Sequence, residues 1–118
     1  MKKILVAEDN DSNFILMTYI LKKYYQFERA KNGQEAVDMV DKGEYDLVLM
    51  DIKMPVMDGL EATKKIKEAH PSLPIIALTA NAFDSDRQMA FDAGCDEFLS
   101  KPISSDLCLR TIAKVLGE

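Results

Sequence analysis

Leu47-Val48-Leu49-Met50-Asp51-Ile52-Lys53-Met54-Pro55-Val56-Met57-Asp58-Gly59 is the stretch whose reading decides the fold. From Asp46 to Met50 the chain is almost wholly apolar, and the run stops abruptly at Asp51. An apolar run of this length without alternation reads as a strand covered on both faces, as in a parallel sheet. A carboxylate at the C-terminal end of such a strand lies where open α/β sheets bind their ligands. Pro55 and the Asp58-Gly59 pair then end the strand and turn the chain. Taken alone, Asp51 reads equally well as a helix cap or a turn residue, since Asp is common in loops.

Three more runs end in the same way. Lys3 to Ala7 runs straight into Glu8-Asp9-Asn10-Asp11, Ile75 to Leu78 ends at Thr79, and Glu97 to Ser100 ends at Lys101-Pro102. In a parallel sheet all four ends share one edge. A fifth strand, near Phe27 to Ala30, is short and is placed by the alternation of elements. Helical patterns fill the gaps. The first follows the caps Asn10 to Asn13, with a stripe of Phe14, Met17, Leu21 and Tyr24 widened by Leu16 and Ile20. The second, Gln34 to Val40, turns Ala36, Val37 and Val40 inward and ends at Gly43. The third, Gly59 to Ala69, is stopped by His70-Pro71. The fourth, Asp84 to Ala93, is polar, with Met89 and Ala90 as its apolar contribution and Gly94 as its cap. The fifth follows Ser104-Ser105-Asp106, with Leu109, Ile112, Ala113 and Leu116 inward. Strand and helix alternating five times predicts right-handed crossovers and one α/β domain over residues 1–118, with helices on both faces of a parallel sheet.

Composition narrows the function. The 118 residues are 47% hydrophobic and 30% charged, with a formal net charge of −5. That length supports a sizeable core, and the acidic balance argues against nonspecific nucleic-acid binding. No apolar run approaches the ~20 residues of a membrane span, and the short apolar stretch behind Met-Lys-Lys, Ile4 to Ala7, makes no secretory signal. Cys95 and Cys108 fit no metal-ligand spacing and read as two reduced, partly buried thiols of a cytoplasmic chain.

Glu8-Asp9, Asp51 with MPVMDG behind it, Thr79-Ala80 and Lys101-Pro102, in that order and spacing, resemble a response-regulator receiver domain, the phosphoacceptor half of two-component signalling. The resemblance covers essentially the whole chain. It implies a flavodoxin-like sheet of order 2-1-3-4-5, whose switch point falls between the first and third strands. It also implies Asp51 as phosphoacceptor and nucleophile, with Mg²⁺ held by Asp9, Asp51 and the backbone carbonyl of Lys53, and Glu8 acting through a metal-bound water. Lys101 supplies a fixed positive charge and Thr79 a hydroxyl donor, while Phe98 is the aromatic that turns inward with Thr79 on activation. A cis Lys101-Pro102 bond is implied as the device that aims the lysine. The charge arithmetic agrees with a metal: two carboxylates ~5 Å apart repel by roughly 3 kcal/mol at an effective dielectric of ~20, and a hard divalent cation with oxygen ligands offsets that. The wording AEDNDSN, ALTANAF and DAGCDEFLSKPI is most similar to receivers attached to hybrid histidine kinases, which implies a kinase or a histidine phosphotransfer domain as partner.

Other residues carry plainer readings. His70 is a solvent-exposed helix end, and the methionines are core filler. The resemblance also implies that Lys53 and Asn81 border the site, where the Lys53 side chain can alter the lifetime of the modification. Two other functions compete. A haloacid-dehalogenase-type phosphatase needs a second Asp two residues after the nucleophile, where Lys53 stands. A flavin carrier of this fold cradles phosphate after its first strand, where Glu8, Asp9 and Asp11 would repel it.

Overall fold

The computed structural model describes residues 1–80 and 84–118. The expected alternation is present as β1 (Lys3–Ala7), α1 (Asp11–Leu21), β2 (Gln26–Ala30), α2 (Gly33–Lys42), β3 (Leu47–Asp51), α3 (Gly59–Ala69), β4 (Ile75–Thr79), α4 (Asp84–Ala93), β5 (Glu97–Ser100) and α5 (Ser105–Leu116). The five strands are parallel, in the order β2-β1-β3-β4-β5. Asp46 stands just before β3, where its carboxylate accepts a 2.8 Å hydrogen bond from the Lys3 amide. Asn81 lies outside the described residues.

The strands show why the apolar runs lack alternation. Successive side chains point to opposite faces, and both faces are covered. Ile4, Val6, Leu47, Leu49, Ile76 and Leu78 join one core cluster with Met17, Ile20 and Leu21 of α1 and Cys108 and Ile112 of α5. Leu5, Ala7, Val48, Met50, Ile75 and Ala77 join the other, with Ala36 and Val40 of α2, Ala62 and Ile66 of α3 and Ala90 of α4. Deep burial pushes the Cys95 and Cys108 thiols up to about 11, so both stay protonated and unreactive near neutral pH.

Three positions read as inward on helices differ from the sequence reading, one of them, Tyr24, because α1 ends at Leu21 and leaves it in the turn beyond. Leu16 and Tyr24 are solvent-facing, at 43% and 55% exposure, and the core instead takes Tyr25, just past the end of α1. Helix α1 is apolar nearly all round, so periodicity leaves its inward stripe ambiguous. In α4, Met89 is likewise exposed, while the small Ala90 and Ala93 are buried. A helix that packs through alanines sits close to the sheet and leaves longer side chains outside.

Candidate functional site

Each residue of the site is delivered by a strand end. Extension of the β1–β2 ladder by one bond, Glu8 N to Ala30 O at 3.0 Å, carries Glu8 to the edge of the sheet. Asp51 is the last residue of β3, in register with Leu78, and Thr79 is the last of β4, in register with Ser100. The Lys101 amide donates to the Thr79 carbonyl at 2.7 Å, which couples the β5 terminus to the β4 terminus. The Lys101-Pro102 bond is cis, as the resemblance implied.

The MPVMDG segment is a brace under Asp51. Met57 N donates to Pro55 O at 2.7 Å, closing a three-residue turn with Val56 at φ 69°, an uncommon backbone for a β-branched residue. Gly59 N then donates to Ile52 O at 2.7 Å, and Gly33 N at the start of α2 donates to Met57 O at 3.0 Å. A Cβ on Gly59 would overlap the Asp51 carbonyl oxygen, and one on Gly33 would overlap that of Met57. Both glycines are required by close backbone approach. Asp58 caps α3 through a 2.9 Å bond from Glu61 N.

These strand ends line an open cavity of about 220 Å³ bounded by Glu8, Asp9, Asn10, Asn13, Asp51, Ile52, Lys53, Thr79, Ala80 and Lys101. The sequence-derived residues therefore converge on one cleft, with Phe98 apart. It sits half-buried in β5 opposite Ala77, packed against the core face that α4 covers. Lys101 Nζ lies 3.3 Å from Asp51 Oδ2 and 3.1 Å from Glu8 Oε1. Glu8 is only 1% exposed. Among the described residues its Oε1 finds no aligned hydrogen-bond donor, so the contact with Lys101 is an ion pair only.

Carboxylate oxygens of Glu8, Asp9 and Asp51 all lie within 4.8 Å of one another. Burial, then hydrogen bonding to Glu8 and its charge, push the Asp51 carboxyl up to about 7, against the opposing pull of Lys101. At Lys101 burial acts downward, but the charge of Asp51 and the contacts with Glu8 outweigh it and hold the ammonium form above its ordinary range. One lysine thus pairs with two of the three clustered acids. An unsatisfied buried carboxylate oxygen, a hard all-oxygen donor set and room above it fit a small divalent cation, which typically takes one or two carboxylates and keeps several waters.

The family model for the response regulator receiver domain matches residues 4–113. Hybrid signal transduction histidine kinase B of Dictyostelium discoideum is 43% identical over 132 residues, covering 99% of this chain and 7% of that protein. The chain thus spans less than a tenth of that relative. The receiver domain of the sensor histidine kinase PA1611 from Pseudomonas aeruginosa PAO1, solved with a magnesium ion in its active-site cleft, is 34% identical with a TM-score of 0.93, covering 99% of this chain and 98% of that one. The receiver domain of Ssk1 from Saccharomyces cerevisiae, solved with the phosphotransfer protein Ypd1, is 31% identical with a TM-score of 0.90, covering 96% and 87%. The chain belongs to the response regulator receiver domain family and is a receiver domain of two-component signalling. Neither the phosphatase nor the flavin reading finds support.

Sequence reasoning missed one residue beside the cleft, Arg29 on β2. Its guanidinium donates to the backbone carbonyls of Glu8 and Asp9, at 3.0 and 3.2 Å. A basic residue on a weak edge strand gives no sequence signal for such a role.

Proposed function

We propose that this receiver domain takes a phosphoryl group from a phosphohistidine onto Asp51, with Mg²⁺ in the acidic cleft, and signals through the change in its own surface. The observation that carries the reading is the placement of Asp51: 5% exposed, at the end of a central strand, facing the cavity with Lys101 3.3 Å away. An Asp51 carboxylate oxygen attacks phosphorus, the P–N bond breaks, and the histidine leaves with that electron pair. Asp9, Asp51 and the Lys53 carbonyl would hold the Mg²⁺, with Glu8 bound through water. When bound, the cation neutralises charge on the transferring phosphoryl group and orients it.

The protein's own groups do the rest. Lys101 favours the ionised, nucleophilic form of Asp51 and then faces the new phosphoryl oxygens. The Thr79 hydroxyl donates to one of those oxygens, a charge-assisted bond worth roughly 1.5–3 kcal/mol. Its movement opens space into which Phe98 turns, and Phe has no hydroxyl whose burial would cost anything. The changed surface comprises α4, β5 and α5. The donor is a histidine kinase or a histidine phosphotransfer domain, a reading supported by the hybrid kinase relative and the yeast complex. The domain catalyses only its own phosphorylation and dephosphorylation and is no enzyme toward other substrates. We place it in the cytoplasm; no helix among the described residues is long and apolar enough to cross a membrane.

Acetyl phosphate with Mg²⁺ should add one phosphoryl group by intact mass, and Asp51→Asn should take up none. Equal uptake by that variant would overturn the assignment. Beryllofluoride should shift the NMR signals of Thr79, Phe98 and α4 as well as those around Asp51. Shifts confined to the neighbours of Asp51 would remove the Thr79–Phe98 switch.

A further inference from the structure

Past the end of β1 the carbonyls of Glu8 and Asp9 extend beyond the residues paired with β2. Arg29 supplies their donors. Its Nε donates to Glu8 O at 3.0 Å and its Nη2 to Asp9 O at 3.2 Å, so one edge of the guanidinium grips two consecutive peptides. The third nitrogen, Nη1, meets Asp11 Oδ1 at 2.9 Å. The guanidinium also lies 4.7 Å from the centre of the Phe14 ring, which packs edge-on to Phe27 at 6.1 Å. Arg29 itself is fixed by its strand, opposite Val6 of β1.

All three guanidinium nitrogens are therefore engaged, two of them on the acidic loop and the third on Asp11 at the start of α1. Orienting two successive peptides sets the backbone angles at Glu8 and Asp9, and those angles aim the carboxylates. The aim matters because the acids repel one another, and a loop free to turn would carry the exposed Asp9 carboxylate away from Glu8 and Asp51. A lysine at this position would keep the charge but has no planar fork to hold two carbonyls at once.

We propose that Arg29 is the positioning residue of the acidic cleft: it holds the Glu8 and Asp9 peptides so that their carboxylates converge with Asp51 on a divalent cation. The inference rests on the reading of that cleft as a cation site. Outer-shell partners of metal ligands typically contribute 10–100-fold in affinity; for this one we expect about tenfold.

The test is a Mg²⁺ titration of the whole chain followed by backbone amide NMR, with wild type, Arg29→Met and Arg29→Lys, at a temperature where each is folded in EDTA. Both variants should bind Mg²⁺ about tenfold more weakly, and the amides of residues 8–10 should shift before any metal is added. A melting temperature lowered in EDTA with an unchanged Mg²⁺ dissociation constant would make Arg29 merely structural and overturn the proposal. Wild-type affinity in Arg29→Lys alone would assign the effect to charge instead of the fork, and tighter binding by Arg29→Met would show repulsion of the cation; either outcome overturns it. Should Arg29→Met fail to fold, Arg29→Lys alone decides between fork and charge. If wild type itself shows no Mg²⁺ response, the cation reading of the cleft fails instead.

Discussion

Asp46, Asp96 and Glu118, near the N-terminal edge of the sheet, each accept a well-formed hydrogen bond. Asp46 takes the Lys3 amide at 2.8 Å, Asp96 takes Ile75 N at 2.9 Å and Lys67 Nζ at 2.8 Å, and Glu118 takes the Tyr25 hydroxyl at 2.9 Å. At the opposite edge carboxylate oxygens of Glu8, Asp9 and Asp51 crowd within 4.8 Å of one another, Lys101 pairs with Glu8 and Asp51, and among the described residues a buried oxygen of Glu8 finds no aligned hydrogen bond. The same residue types are satisfied at one edge of the sheet and left in tension at the other, with Asp46 and Asp51 at the two ends of β3. Groups placed for stability find partners within the chain, whereas groups placed for chemistry are held ready for partners from outside.

One substitution chemistry applied at both edges should give opposite signs. Asp51→Asn removes a charge that burial and the Glu8 carboxylate oppose more than Lys101 favours it, so without metal it should stabilise the fold by about 1–2 kcal/mol, and it should also abolish phosphorylation. Asp96→Asn weakens the ion pair with Lys67 and the bond to Ile75 N, and should destabilise by about 1 kcal/mol while phosphorylation proceeds normally. Urea unfolding in EDTA measures both. Equal signs would dissolve the contrast between the edges.

How far the sequence carried the reading also follows this division. Strands β1, β3 and β4 were legible because burial on both faces requires unbroken apolar runs, and Asp51 was legible as the abrupt end of one. The acidic pair, Thr79 and Lys101 became informative only when a parallel sheet brought their strand ends to a common edge, and the resemblance then supplied roles that spacing alone could not. What stayed hidden was what acts through the backbone. Arg29 works on carbonyl oxygens, which every residue carries. The turn at Val56 is imposed by the hydrogen bonds on either side of it, against the preference of a β-branched residue. Leu16, Tyr24 and Met89 face solvent against the sequence reading, since α1 is apolar nearly all round, ends at Leu21 before Tyr24, and α4 packs by small residues.

The second way to sharpen the comparison is to add the proposed cation at the site edge. At ten times its dissociation constant, Mg²⁺ should raise stability by about 1.4 kcal/mol. Thermal melts in Mg²⁺ and in EDTA check this. Asp96→Asn should keep the whole response, and Asp9→Ala should lose most of it. Coincident melts for wild type would mean that the crowding at this edge is not relieved by the cation.

The smallest effect belongs to the satisfied edge and is read by pH. Burial first, then the hydrogen bond to Glu118 and its charge, push the Tyr25 hydroxyl up to about 12 from its ordinary 10. The neutral hydroxyl is therefore the form that folding favours. Its contribution is fully present below pH 10, where the unfolded chain is also neutral, and is lost as pH rises from 10 towards 12, where only the unfolded chain gives up its proton. Tyr25→Phe should cost about 1 kcal/mol at pH 7, the typical net value of one hydrogen bond. At pH 11 the wild type has lost a contribution of about that size, since one pKa unit corresponds to about 1.4 kcal/mol, so the two proteins should unfold at nearly the same urea concentration. Other groups titrate in this range as well, but they are common to both proteins and cancel in the difference. A gap between them that stays constant from pH 7 to pH 11 would mean that folding does not favour the neutral Tyr25 hydroxyl and that the Tyr25–Glu118 bond contributes nothing.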